Sequence, residues 1–169
     1  VTVWRPSQSI KVKALGLHWR AGRLLAAEVE DDKGRIKGVR PLGGTVEFGE
    51  TWQQTLIREF REELDVDVKI DGVPLVLENI FRHEGMVGHE ILFVAPVLFP
   101  EGAFAEATMI QFREDNGVLC TARWFSLKSL RLHGIPLFPE GLAEALSSGV
   151  RGDKGGKSET ASSRPFNMN

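Results

Sequence analysis

Gly43 to Val66 reads G-G-T-V-E-F-G-E-T-W-Q-Q-T-L-I-R-E-F-R-E-E-L-D-V, and its second half has the pattern of a helix. Thr51 is placed to N-cap it, Glu50 sits just before its positive end, and residues 52–64 contain neither Gly nor Pro. At 100° per residue, Leu56, Ile57, Phe60 and Leu64 form one apolar stripe. Glu59, Glu62 and Glu63 stand at i, i+3 and i+4, so their carboxylates gather on a different face. Three like charges at this spacing repel, and no lysine interrupts them. A helix that keeps such a cluster either accepts a small loss of stability or holds cations there. Clustered oxygen ligands suit hard divalent ions, Mg²⁺ or Mn²⁺. The glycine-rich loop before the helix lets backbone approach a ligand closely. Loop and acidic helix together point to a metal site for a phosphate-bearing substrate.

Gly44, five residues, Glu50, seven residues, then Arg58-Glu59-Phe60-Arg61-Glu62-Glu63-Leu64-Asp65-Val66 resembles the Nudix box, G-x5-E-x7-R-E-U-x-E-E-x-G-U, where U is a bulky apolar residue. Every charged position of that pattern is present. Asp65 stands where the pattern has its last glycine. A glycine there relaxes the chain into a left-handed turn as the helix ends. Aspartate tolerates that conformation better than most residues but sits poorly at a helix's negative end, at an expected cost on the order of 1 kcal/mol.

The chain has 169 residues, enough for one domain with a sizeable core and little more. Its 21 Lys and Arg nearly balance 23 Asp and Glu, so general nucleic-acid affinity is not expected. The lone cysteine, Cys120, can form no internal disulfide and reads as a small apolar strand residue. No basic segment followed by an apolar one opens the chain, and the longest apolar run, Ile91 to Phe99, is too short to span a bilayer. A soluble, cytoplasmic protein is expected.

In chain order, residues 10–19 alternate, with Ile10, Val12, Ala14, Gly16 and His18 on one face and Leu15, Leu17 and Trp19 on the other. Turns at Ala21-Gly22 and at 31–34 separate this strand from Leu24–Val29 and Arg35–Leu42. Arg40 abuts the glycine loop, where it is either a phosphate contact or an ordinary solvated arginine. Beyond the helix, strands are expected at Val66–Ile70, Leu75–Arg82 and His89–Leu98. Arg82, His83 and His89 flank the last hairpin, as substrate contacts or simply as polar tip residues. Residues 100–117 read as a long loop carrying Glu101, Glu106, Glu114 and Asp115, any of which offers a carboxylate from outside the helix. Val118–Phe125 is a further strand, Leu127–Leu130 a helical turn, and 136–146 a terminal helix with Pro139 near its first turn. Residues 1–149 are expected to form the domain, and 150–169, rich in Gly, Ser and Lys, a flexible tail.

The Nudix resemblance implies an α/β/α sandwich around a mixed β-sheet, the acidic helix on one side and the C-terminal helix on the other. It implies hydrolysis of a diphosphate linkage in a nucleoside diphosphate joined to another moiety, with Mg²⁺ or Mn²⁺ as cofactor. Carried over by position, Glu59 and Glu63 are the leading metal ligands, with Glu62 beside them and the Gly43 carbonyl completing the shell. Arg58 would hold a glutamate in its ligating rotamer, and Glu50 would support the loop. Glu59 and Glu106 compete as general base. Arg40 and Arg82 are the substrate-binding candidates. A catalytically silent binding module is the alternative, though such a module would shed carboxylates that are all kept here. An isomerase of prenyl diphosphates would want a reactive cysteine, which Cys120 in its strand does not suggest. Neither the substrate nor the oligomeric state is legible, although an exposed strand edge would allow a homodimer.

Overall fold

A computed structural model describes residues 4–114 and 116–149; the tail expected at 150–169 and Asp115 lie outside these described residues. The elements follow in order as β1 (Ile10–Leu17), β2 (Trp19–Arg20), β3 (Arg23–Glu30), β4 (Ile36–Arg40), β5 (Leu42–Thr45), α1 (Trp52–Leu64), β6 (Lys69–Ile70), β7 (Leu75–His83), β8 (Met86–Leu98), β9 (Met109–Arg113), β10 (Leu119–Phe125), α2 (Leu127–Leu132) and α3 (Leu142–Gly149). They build two sheets, the mixed one that the resemblance implies and an antiparallel one beside it. The first runs β5-β1-β8-β6, with β7 also on β8. It is mixed, because β1 and β8 pair in parallel while its other pairs are antiparallel. The second, β2-β3-β10-β9 with β4 on β3, is antiparallel throughout. Pro41, which has no N–H to give a ladder, stands where the chain leaves β4 for β5, so the expected strand 35–42 is divided between the sheets.

Period-2 alternation divides the core in two. Ala14 of β1 and Leu25 and Ala27 of β3 face α1, where Leu56, Phe60 and Leu64 pack against them. Leu15, Leu17, Leu24 and Ala26 face the other way, onto Leu130 of α2, Leu137 and Leu142 of α3. The sandwich is therefore α/β/α, with α1 on one side and the C-terminal helices on the other.

Several boundaries depart from expectation. The hairpin after β7 is a two-residue turn, because Glu84 (φ 48°) and Gly85 (φ 82°) both adopt the left-handed conformation that continues strand twist. Strand β8 thus begins at Met86, not His89. The long loop 100–117 contains β9, whose Ile110 and Phe112 alternate into the core. Arg20 fastens the remaining turn, donating to the carbonyls of Phe104, Ala105 and Ala107 while its guanidinium lies 3.5 Å over the Trp124 ring. The C-terminal helix starts at Leu142, beyond Pro139.

Helix α1 is capped as its sequence dictates. Thr51 and Gln54 form a reciprocal capping box, the Thr51 hydroxyl accepting from Gln54 N–H and the Gln54 side chain accepting from Thr51 N–H. Asp65 ends the helix in the left-handed region (φ 54°, ψ 41°) and donates its N–H to the Arg61 carbonyl. Asp65→Gly removes both the strain of that φ and a negative charge at the helix's negative end, while loosening the unfolded chain. A net gain of about 0.5 kcal/mol, ~1–2 °C in melting temperature, is expected by calorimetry. A lowered melting temperature would show that the strain at Asp65 is negligible.

Candidate active site

The helix buries more than its apolar stripe. Leu56, Phe60 and Leu64 are inside as expected, but Ile57 is exposed, and Thr55 and Glu59 take its place among the buried residues. Glu59 is only 5% exposed, so its carboxylate leaves water on the core-facing side of α1 rather than on a separate solvated face. A buried carboxylate needs compensation, and Arg58 supplies it. Its Nη1 donates to Glu59 Oε1 at 3.0 Å and to Glu62 Oε2 at 3.1 Å. The Nε and Nη2 groups of the same guanidinium grip Glu50 at 2.8 and 3.0 Å, and Nη2 also reaches the Thr45 carbonyl. One arginine therefore ties strand β5, the loop and three glutamates together in a forked geometry that lysine could not reproduce.

Glu50 is further held by the Thr55 hydroxyl at 2.7 Å and the Glu47 N–H at 3.2 Å. The Arg58 hydrogen bonds, aided by these two, pull its carboxyl down to about 2 against the cost of desolvation. The depressed folded-state pKa sets the sign of its pH dependence. The contribution is fully present above the ordinary value of 4.5 and is lost as pH falls through about 2. In chelator, the unfolding midpoints of wild type and Glu50→Gln should differ most above pH 4.5 and converge toward pH 2. A difference that stays constant over that range would remove Glu50 from the network.

Gly43 and Gly44 lie in strand β5, not in a loop, opposite Leu15 and Ala14 of β1. Gly43 has φ 137°, and a Cβ there would meet the Ala14 carbonyl oxygen at 2.1 Å. At Gly44 a Cβ would lie 1.9 Å from Glu59 Oε1 and 2.2 Å from its carboxyl carbon. Gly44 is thus the cradle in which the Glu59 carboxylate rests. Glu63 follows one turn along α1, half-buried, and Glu62 stands at the rim with its side chain 49% exposed. Glu59 and Glu62 meet on one Arg58 nitrogen with Glu63 next along the helix, and carboxylate oxygens of this kind suit a hard divalent cation. A second group, Asp32, His83 and Glu84, brings ligand atoms within 4.8 Å of one another. Arg5 already pairs with Asp32 and Lys37 with Glu84, so cations of the chain itself answer it.

Among the described acids of the 100–117 segment the structure links Glu114, rather than Glu106, to this region. Arg40 Nη2 approaches Glu114 Oε1 at 3.6 Å, whereas Glu106 stands exposed on the turn that Arg20 fastens. Cys120 lies beside them, packed against the core, and burial, followed by the charges of Glu114 and Glu63, pushes its thiol up to about 12. Such a thiol stays protonated and is a poor nucleophile. Arg82 stands exposed on β7, across from Val87.

Lys13 and Glu90 went unremarked in the sequence. They pair at 3.1 Å with side chains 13% and 11% exposed, and Asn79 Nδ2 donates to the other Glu90 oxygen at 3.3 Å. Burial, then the Arg40 charge, push the Lys13 amine down, against the attraction of Glu90. The signal was available, since Lys11 and Lys13 share the core-facing register of Leu15 and Leu17. A cavity of about 250 Å³ opens beside the pair, lined also by Trp4, Lys11, Phe81 and Thr45. The Trp4 and Phe81 rings are nearly parallel, 8° apart with centroids at 6.4 Å.

The chain is thus a two-sheet α/β/α sandwich whose first helix carries glutamates held by an arginine. The family model described as "NUDIX domain" matches residues 12–146, and the chain belongs to the Nudix family, whose enzymes are pyrophosphohydrolases. A search of curated proteins gave no match. Among solved structures, a NUDIX hydrolase from Nitrosomonas europaea is similar, with TM-score 0.58 and 18% identity over 85% of this chain and 90% of that one. The E. coli ORF135 protein has TM-score 0.53 and 21% identity over 86% and 96% of the two chains. An ADP-ribose pyrophosphatase from Streptococcus suis has TM-score 0.52 and 18% identity over 85% and 94%. At these identities the likeness concerns the fold. Among the described residues no helix is long and apolar enough to cross a membrane.

Proposed function

We propose that this chain is a divalent-metal-dependent hydrolase that cleaves the diphosphate linkage of a nucleoside diphosphate joined to another moiety. The observation that carries this reading is the buried Glu59 carboxylate, cradled on Gly44 and held by Arg58 beside Glu62 and Glu63. An enzyme that only needed the fold would have no use for so costly an arrangement. Glu59 and Glu63 would hold Mg²⁺ or Mn²⁺, with Glu62 and the Gly43 carbonyl as further oxygens. An ion held there would supply charge neutralisation for the diphosphate, polarisation of phosphorus and a lowered pKa for an attacking water.

The remaining work falls to side chains. Arg58 and Glu50 are positioning residues, which fix the carboxylates and screen their mutual repulsion before any substrate arrives. Arg40, beside Glu114, adds positive charge that would draw in an anionic substrate. The cavity between Trp4, Phe81 and Lys13 abuts Thr45, whose carbonyl already binds Arg58, so it is suited to the nucleoside end of the substrate. Glu59 or Glu114 would take the proton from water.

Incubation with a panel of nucleoside-diphosphate compounds and Mg²⁺ or Mn²⁺, followed by product chromatography, tests the proposal. Cleavage at a phosphoanhydride bond, abolished by excess EDTA and restored by added metal, is expected. Turnover unaffected by chelation refutes metal dependence, and binding without turnover assigns a silent nucleotide-binding module instead.

A further inference from the structure

We infer that the open edge of β7 is a docking surface for a second copy of this chain, which extends the mixed sheet antiparallel across a two-fold axis at Ile80. Along its whole length β7 pairs with β8 on one side, from Leu75 opposite Val94 to His83 opposite Met86. No strand of the described residues pairs with its other side. Nine residues of edge leave a row of N–H and C=O groups open to another strand. On the face of β7 turned toward solvent, Ile80 is 63% and Val76 59% exposed, with Glu78 between them. Ile10, which lies in the same row of the sheet across His89, is 59% exposed.

Charge selects both the occupant and the register. When the axis passes through Ile80, each Ile80 meets its own copy, and Glu78 lies directly opposite Arg82 of the second chain, twice by symmetry. Opposite charges in directly facing positions stabilise an antiparallel pair. Moving the axis to Asn79 sets Ile80 against a Glu78 carboxylate and Arg82 against Val76. Moving it to Phe81 sets Glu78 against Glu84, a like-charge clash. Of these three, only the Ile80 register sets Ile80 against its own copy and Glu78 against Arg82, with Val76 falling opposite Glu84 in the turn beyond the strand. The side chains are ready for it: Glu78 uses Oε1 for His89 at 2.9 Å, which leaves Oε2, and Arg82 has no ion pair with any described residue. An edge that carried its charges simply to repel other strands would not place acid and base two residues either side of one isoleucine.

Sedimentation equilibrium of the full chain across a concentration series tests this, with circular dichroism and thermal melting to confirm that each variant folds. The wild type is expected to reach twice the chain mass. Glu78→Arg and Arg82→Glu alone each set like charges face to face and should weaken self-association by about ten-fold or more. The double variant Glu78→Arg with Arg82→Glu should restore it, and Ile80→Lys, at the axis, should abolish it. A monomeric wild type overturns the inference. So does a dimer indifferent to both single reversals, or a double variant that stays as weak as the singles.

Discussion

Replacing Glu63 with glutamine is expected to lower turnover by roughly two to four orders of magnitude, equivalent to about 3–5 kcal/mol of transition-state stabilisation. Glutamine keeps the size and helix propensity of glutamate but removes one negative charge from the cluster. If Glu63 ligates a cation, metal affinity and charge neutralisation fall together. The fold should not suffer, because glutamine matches glutamate in length and helix propensity at this half-buried position. Stability without metal should rise slightly as repulsion along the helix eases. A helix that was merely acidic would show the reverse pairing, a changed melting temperature with an unchanged rate. Turnover at saturating Mg²⁺ and melting in chelator, measured on one preparation, distinguish the two. Near-native rates in both Glu63→Gln and Glu59→Gln would sink the site.

The second large effect is expected from a single methyl group. Gly44→Ala places a Cβ where the Glu59 carboxylate now lies, 1.9 Å from Oε1. The atoms in the way belong to the end of a flexible side chain, so the strand can stay and the carboxylate must move. Displacing a positioned group by about an ångström typically costs on the order of 10²-fold in rate, and a comparable loss is expected here, with stability lowered by roughly 1–3 kcal/mol from overpacking. Gly43→Ala offers the contrast. Its Cβ would strike the Ala14 carbonyl at 2.1 Å, and its φ of 137° suits glycine, so folding itself should fail. Wild-type turnover in Gly44→Ala would show that the seat of Glu59 over β5 does not matter.

Local rules explain what could be read from the chain directly. The N-cap Thr51, the apolar spacing of Leu56, Phe60 and Leu64 and the left-handed Asp65 all depend on neighbours a few residues away. The alternation of β1 likewise sorted Ala14 from Leu15, and the structure then set α1 on the Ala14 face and the C-terminal helices on the Leu15 face. β9 obeyed the same rule with Ile110 and Phe112, but the acids around it made the segment resemble a loop.

By itself, then, the sequence determined that an acidic, well-capped helix follows a glycine pair, and that Arg58 and the glutamates stand in register on it. Helical geometry and side-chain chemistry act over one or two turns, and they needed nothing else. Only the tertiary structure decided that Glu59 is buried while Ile57 is exposed, because burial depends on which face of α1 meets β1 and β5. It also decided that Gly44 serves the carboxylate fifteen residues further on, and that Glu114 rather than Glu106 meets Arg40. The Lys13–Glu90 pair spans 77 residues of sequence and exists because β1 and β8 lie parallel in one sheet. Contacts of that range follow from how strands are ordered, and no local pattern in the chain specifies that order.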